Sequence, residues 1–173
     1  INEKKFHNGN EVKDVPLKAL ISASNELPAE NQGLEALWDR FLIRLMVNPV
    51  QNKKSFIDLV CGQPVQAEID TLEDAISIDE LEDWKKEINK ITIPDDVKTV
   101  IDAIHSKMWK LHEEPPKKNN KYYISDRRWM KIVHLLKTSA FLNGREEVDL
   151  TDCSLIPNCI WNSAKLTRHT KEM

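Results

Sequence analysis

Two adjacent arginines at the start of a predicted helix are the first residues that point to chemistry. In residues 122–144, YYISDRRWMKIVHLLKTSAFLNG, Ser125 or Asp126 is a natural N-cap, and Arg127 and Arg128 follow in the first turn. The helix dipole disfavours cations there by roughly 0.3–1 kcal/mol each. Arginines beside free backbone N–H groups make a site for an anion, and phosphate fits best. The alternative is that both arginines pair with nearby carboxylates and point to water.

A second set of polar residues interrupts the apolar stretch LISASNELPAENQGLEALWDRFLIRL, residues 20–45. Asn25 directly follows a predicted strand over 17–24. Open α/β sheets bind ligands at this carboxyl end of their strands. An asparagine there can equally cap the following turn. Arg40 and Arg44 share one face of the predicted helix. Either their aliphatic chains pack against apolar residues while their guanidinium groups reach water, or one of them stabilises charge in phosphoryl transfer as an arginine finger.

The remaining pattern predicts a small β-containing piece followed by helices. Asn8-Gly9 predicts a hairpin over 5–19, and apolar spacing predicts a helix from 34 to 45 with a further short strand over 44–49. Past residue 52 only helices are predicted, at 53–61, at 80–90 with Asp79 as cap, from Pro94 to the stop at Pro115, at 126–142, and at 152–168 with Thr151 as cap. The fold class is therefore a mostly helical chain with an α/β fragment at 1–52 and an all-α unit at 53–173.

Composition removes several classes of function. The formal net charge is −3 with 31% charged residues, so the chain lacks the basic character typical of nucleic-acid domains. The sequence contains no apolar run of about 18–20 residues and no signal peptide, so we predict no membrane span and a cytoplasmic location. The spacing of His and Cys predicts no metal site. The chain begins at Ile1 without an initiator Met and has no glycine-rich phosphate loop, and we therefore expect a fragment.

Several motifs, taken together and in order, resemble the MoxR family of AAA+ ATPases and in particular its RavA-like branch. They are INEKKFHNG, ISASNELP, LEALWDRFLIRL and YYISDRRWMKIVHLLKTSAFLNGREEVDLTDC, with a weaker contribution from WKKEINKITIPDDV. The resemblance covers nearly the whole chain. It implies that residues 1–52 are the last part of an AAA+ αβα core and that residues 53–173 are its helical lid.

The resemblance also implies roles for individual residues. Asn25 is similar to sensor 1, which orients the attacking water. Arg40 is similar to the arginine finger, which reaches the nucleotide of the next subunit. Arg127 is similar to sensor 2, which contacts the γ-phosphate within its own subunit, and Arg128 shares or exchanges that role. Arg44 is either structural or a secondary contact between subunits.

For the whole protein, the resemblance implies ATP hydrolysis with Mg²⁺ in a homo-oligomeric, hexameric ring that remodels client proteins as a chaperone does. A protein with a von Willebrand factor A domain is the implied partner, and no nucleic acid is expected. Walker A and Walker B are absent from these residues and are expected upstream, so this chain alone should be inactive. The alternative is a helical binding module for nucleic acid, with Arg127, Arg128, Lys131 and the loop 117–121 as its basic patch.

Overall fold

The predicted predominance of helix is confirmed. The structure is a computed structural model, and it describes residues 4–9, 11–26, 35–62, 76–114 and 122–162. Its elements are strands β1 (Lys5–Asn8) and β2 (Glu11–Asp14), helices α1 (Glu35–Trp38), α2 (Lys53–Cys61), α3 (Ile78–Lys90), α4 (Asp95–Glu113) and α5 (Asp126–Leu142), a 3-10 helix (Asp152–Leu155), and helix α6 (Pro157–Ile160). None of the helices in these ranges combines the length and apolarity needed to cross a bilayer.

The N-terminal hairpin forms at the predicted turn. Strands β1 and β2 pair antiparallel, with Phe6 opposite Lys13 and Asn8 opposite Glu11. Gly9 has a φ of 61°, the left-handed conformation that glycine adopts without a steric penalty. The Asn-Gly signal therefore predicted both the turn and the pairing of the two strands.

The predicted strands over 17–24 and 44–49 and the long helix over 34–45 are wrong. Residues 17–24 form no strand, and residues 18–24 are exposed, with Ile21 95% accessible to solvent. A strand needs a neighbour for its backbone hydrogen bonds, and the described residues offer these segments none. Helix α1 stops at Trp38 because the chain turns there, where the N–H of Arg40 donates to the carbonyl of Leu37 at 3.0 Å.

The helices of the C-terminal part follow their sequence signals closely. Helix α2 has the predicted bounds, and α5 ends as predicted beside Gly144, whose φ is 70°. Helix α3 begins two residues earlier than predicted, because Ser77 and Glu80 form a reciprocal capping box and Asp79 lies inside the helix. Helix α4 starts after Pro94, which lacks the N–H that a helix start leaves unpaired.

One hydrophobic core holds α4, α5 and α6 together, with α5 at its centre. Helix α5 contacts α3 on one side and the 3-10 helix on the other. Residues from α4, α5, α6 and the segments between them supply the fully buried side chains: Val97, Met108, Ile132, Leu136, Val148, Ile156, Cys159 and Ile160. Leu42 packs against this core, so the segment after α1 is anchored to the helical part.

The last predicted helix, over 152–168, is wrong in its described part. The chain forms the 3-10 helix, turns at Ile156 and then forms only the four residues of α6 before an extended Trp161. Thr151 makes no side-chain cap. Asp152 explains the different conformation, because its buried carboxylate accepts hydrogen bonds from Arg145 at 2.8 Å and from Ser139 at 2.6 Å. Those bonds hold the 3-10 turn against α5.

Neutralising Asp152 is expected to destabilise the chain in a pH-dependent way. The hydrogen bonds from Arg145, followed by those from Ser139 and the backbone of Asp149, lower the pKa of Asp152 to about 2. An unfolded aspartate titrates near ~3.9, and each pKa unit corresponds to about 1.4 kcal/mol. The ionised carboxylate therefore contributes roughly 2–3 kcal/mol above about pH 5, and this is lost as the pH falls towards 2.

Urea unfolding of Asp152→Asn at several pH values checks this. The loss in free energy of unfolding should be largest near neutral pH and should shrink on acidification. Asp102→Asn, an exposed aspartate on α4, is the matched control and should leave the stability unchanged. Equal stability of wild type and Asp152→Asn at pH 7 would contradict the assignment.

Candidate functional site: an arginine-lined cleft

A cleft between the turn after α1 and the start of α5 brings together most of the predicted site residues. Its volume is about 180 Å³, and it is lined by Asp39, Arg40, Arg127, Arg128 and Lys131. Four of these five side chains are cationic. Arg40 and the arginine doublet, which are far apart in sequence, thus face one space.

Asn25 does not line this cleft. It lies in an exposed bend, beside Ser24, whose hydroxyl donates to the carbonyl of Glu26 at 2.7 Å. The strand that was expected to carry Asn25 towards a ligand does not form among the described residues. The three predicted contacts to a nucleotide are therefore reduced, in this arrangement, to the arginines.

Helix periodicity places the two arginines of the doublet differently. Ile132, Leu136 and Ala140 form a fully buried row along α5, each one turn after the last. Arg128 is the first member of the same row, and only 2% of it is exposed. Arg127 lies one position earlier and is exposed. The doublet therefore supplies one buried and one solvent-facing guanidinium.

The buried guanidinium of Arg128 is incompletely paired. Its Nη1 donates to Asp39 Oδ1 at 3.3 Å and to Asn162 Oδ1 at 3.0 Å. Its Nε and Nη2 are buried and have no hydrogen-bond partner in the described part of the chain. Burial lowers the pKa of Arg128, and the charge of Asp39 partly opposes this effect. A buried cation with unused donors costs free energy that an arriving anion would recover.

The backbone at the start of α5 adds to the attraction for an anion. Ser125 caps the helix, and its Oγ accepts a hydrogen bond from the N–H of Arg128 at 3.3 Å. A helix of this length places a partial positive charge at its first turn. Arg40, Arg127 and the half-buried Lys131 then surround the same end of the helix. All these charges favour a ligand with several negative oxygens.

Arg44 does not line the cleft, and its contacts favour a structural role. It is 4% exposed, and its guanidinium donates to the carbonyls of Trp38, Phe41 and Trp161 and to Asn162 Oδ1, at 2.5–3.2 Å. The Cζ atom of Arg44 also lies 4.6 Å from the ring centroid of Trp38. Burial, followed by the nearby charge of Arg128, lowers the pKa of Arg44 to about 9, so it stays charged at neutral pH.

Backbone contacts complete this junction. The N–H of Arg44 donates to the carbonyl of Asn158 at 2.9 Å, and the indole N–H of Trp161 donates to the carbonyl of Arg44 at 3.1 Å. The rings of Trp38 and Trp161 meet edge to face at 6.0 Å. This junction fixes the Arg40 turn relative to the helical part, and so it sets the width of the cleft.

The residues of the cleft fit the phosphate part of a nucleotide but not a magnesium ion. Phosphate oxygens would satisfy the unused N–H groups of Arg128 and pair with the exposed arginines. Magnesium prefers oxygen ligands, and Asp39, the one carboxylate among the lining residues, is engaged by Arg128. Across the described ranges, no cluster of three His, Cys, Asp or Glu side chains could hold a metal ion.

Sequence reasoning missed one lining residue, Asp39, and named Lys131 only in the basic patch of the nucleic-acid alternative. Asp39 precedes the predicted finger directly, and Lys131 follows Arg127 by one helical turn. A signal for Lys131 was present, because residues four apart share a helix face. Extending the buried row back from Ile132 would also have identified Arg128 as the inward arginine. Nothing in the sequence pattern signalled the pairing of Asp39 with Arg128.

Two family models match this chain, each over a different part of it. Residues 96–173 match the AAA lid domain, which identifies this part of the chain, nearly all of α4 and everything after it, as an AAA+ lid. Residues 1–86 match the MoxR domain in the MoxR-vWA-beta-propeller ternary systems. The chain therefore belongs to the MoxR family of AAA+ ATPases.

Two curated proteins from the archaeon Methanocaldococcus jannaschii are similar to this chain. The uncharacterized protein MJ0079 is 35% identical over 162 residues, and the uncharacterized protein MJ0812 is 33% identical over 162 residues. Each alignment covers 94% of this chain and 39% of the relative. The chain thus spans about two fifths of the length of the curated relatives it matches.

Proposed function

We propose that the cleft binds the phosphate groups of ATP in a MoxR-type ATPase, to which this chain contributes the lid and the arginines. The observation that carries the proposal is the guanidinium of Arg128, buried in a cation-lined cleft with two N–H groups unpaired among the described residues. Because the chain belongs to an ATPase family, a nucleoside triphosphate is the multivalent anion that we expect in the cleft. Arg128 would hold the phosphate, and Arg127 would contact it from the solvent side.

Arg40 and Arg127 would act on the same nucleotide. The sequence predicted a finger that works on the neighbouring subunit and a sensor 2 that works within its own subunit, and this division needs two separate sites. The shared cleft supports a single site instead. If Arg40 reaches the nucleotide of the next subunit in a ring, Arg127 and Arg128 reach it too.

Asn25 keeps its proposed role as sensor 1 under one condition. Residues 17–24 would pair with strands of the αβα core that lie outside these 173 residues, and the exposed Leu20 and Ile21 would then be covered. Such pairing would place Asn25 at the end of a central strand, where it could orient the attacking water.

The other properties of the whole protein are proposals drawn from the family. They are a RavA-like affiliation, a hexameric ring, chaperone-like remodelling of clients, a cytoplasmic location and a boundary between core and lid near residue 52. The P-loop and the ligands of Mg²⁺ would lie outside these residues. A von Willebrand factor A partner is supported by the description of the matched MoxR domain.

Titration with inorganic tripolyphosphate tests the proposed anion site directly on this chain. Arg127→Ala should weaken binding about tenfold or more, since a charge-assisted contact contributes roughly 1.5–3 kcal/mol. Arg127 is exposed, so its loss should not unfold the chain. Isothermal titration calorimetry at low ionic strength gives the dissociation constants.

The matched control is Lys107→Ala, which removes an exposed cation of α4 outside the cleft. It should leave the affinity for tripolyphosphate nearly unchanged. No measurable binding by the wild-type chain would overturn the proposed site. Stronger binding of single-stranded DNA than of tripolyphosphate would instead favour the nucleic-acid alternative.

A further inference from the structure

We propose that Asp39 is an internal substitute for the phosphate: it holds Arg128 while the cleft is empty and releases it when a phosphate binds. The inference rests on the proposed function, because it assumes that phosphate is the ligand of the cleft. It assigns to Asp39 the part of a positioning residue, acting through Arg128.

The position of the Asp39 carboxylate is that of a bound anion. Oδ1 accepts from Arg128 Nη1 at 3.3 Å, and Oδ2 accepts from the hydroxyl of Ser125, the N-cap of α5, at 3.5 Å. The carboxylate thus lies at the positive end of a 17-residue helix and against its buried arginine. A phosphate in the cleft would accept hydrogen bonds from the same two donors, Arg128 Nη1 and the hydroxyl of Ser125.

The contact is too loose to be a permanent structural pair. Hydrogen bonds between guanidinium and carboxylate are usually about 2.7–2.9 Å and often bidentate. Here only Nη1 contacts the carboxylate, at 3.3 Å, and it is shared with Asn162, while Nε and Nη2 remain without partners in the described part of the chain. The side chain of Asp39 is 44% exposed, so it can swing into solvent with little loss.

A comparison within the molecule shows what a permanent pair looks like. Arg145 contacts Asp152 through both Nη atoms at 2.8 Å, and the side chain of Asp152 is 2% exposed. Asp39 and Arg128 reverse this pattern, with the arginine buried and the carboxylate half in water. A phosphate offers three or more oxygens and can satisfy Nε and Nη2 together, so it can outcompete Asp39.

Release of Asp39 would have a structural consequence beside the predicted finger. Asp39 and Arg40 are adjacent in the turn that follows α1. When Asp39 leaves Arg128, the direct contact between this turn and the start of α5 is lost. The junction around Arg44 still holds the backbone, and the exposed side chain of Arg40 gains freedom to approach the bound phosphate. Binding at the sensor arginine would thus be coupled to the placement of the finger.

Affinity for inorganic tripolyphosphate tests the exchange, that is, the replacement of Asp39 by phosphate on Arg128. Asp39→Asn keeps the shape and removes the competing charge, so the dissociation constant should fall about fivefold, as expected for loss of a half-exposed ion pair. Asp126→Asn is the matched control, because it removes the same charge from the first turn of α5 but Asp126 does not line the cleft. It should change the affinity by much less.

The outcomes separate this inference from the proposed function. If wild type and Asp39→Asn bind tripolyphosphate equally, or if Asp39→Asn and Asp126→Asn tighten binding alike, the exchange is wrong while the anion site stands. If none of the proteins binds, the proposed function and the exchange both fall.

A measurement on the wild-type chain guards against a variant that does not fold. In NMR spectra, saturating tripolyphosphate should shift the Nε–H signal of Arg128, which gains an acceptor, and the carboxyl carbon signal of Asp39, which loses its cation. A shift at Arg128 with no change at Asp39 would overturn the exchange.

Discussion

Replacing Arg40 by alanine is expected to lower ATP turnover in the complete protein on the order of 10³-fold, the lower end of what arginine fingers contribute. The exposed guanidinium of Arg40 lies in the cleft with Arg127 and Arg128, so it can meet charge that develops on the phosphate. Affinity for ATP should fall far less, because contacts that strengthen in the transition state raise kcat rather than ground-state binding. Steady-state ATPase assays and nucleotide titrations measure the two effects.

In the proposed ring, mixtures of two variant subunits show where Arg40 acts. Subunits carrying Arg40→Ala, combined with subunits whose Walker B motif is inactivated, should regain part of the activity if Arg40 serves its neighbour. Lys107→Ala is the control, since that exposed lysine of α4 is outside the cleft. Unchanged turnover in Arg40→Ala would remove the finger assignment, and full loss without complementation would place Arg40 in its own subunit's site.

Replacing Arg44 by alanine is expected to destabilise the chain by about 3–5 kcal/mol, the range seen when one partner of a buried charged network is removed. The change would leave the carbonyls of Trp38 and Trp161 without their donor and would open a gap beside the indole of Trp38. Relief of repulsion from Arg128 offsets only part of this loss. Urea unfolding of the 173-residue chain gives the free energies.

Arg40→Ala is an unusually close control for this measurement. Arg40 and Arg44 are the same residue type, four positions apart, but Arg40 is exposed and Arg44 is buried. Exposed substitutions usually change stability by less than about 0.5 kcal/mol. A loss below about 1 kcal/mol in Arg44→Ala would contradict the structural role and reopen a contact between subunits.

Local signals in the sequence predicted the features that depend on neighbouring residues. The Asn8-Gly9 turn, the start of α4 after Pro94 and the bounds of α5 all follow from backbone preferences and capping. Family membership was also readable, because spaced motifs are properties of the sequence itself. The apolar periodicity of α5 also predicts that Arg128 points inward.

Features that need a distant partner were mispredicted or missed. The apolar run over 17–24 has strand propensity, but a strand forms only when another strand accepts its hydrogen bonds, and the described residues contain none that does. The same limit explains the truncated α1. Trp161 and Asn162, far along the chain, draw the segment after Trp38 into the junction around Arg44 instead of a longer helix.

The sequence by itself determined the family, the hairpin, most of the helices and the arginines that could meet a phosphate, because these depend on residue type and short-range spacing. Only the tertiary structure decided that Arg44 is buried and structural and that Arg128 is buried with unpaired donors. It also decided that Arg40 and Arg127 face solvent. It also brought Asp39 against Arg128. These outcomes depend on burial and on pairing between segments about 90 residues apart or more, as in the contact of Asp39 with Arg128, and free energies of desolvation are set only once those segments meet.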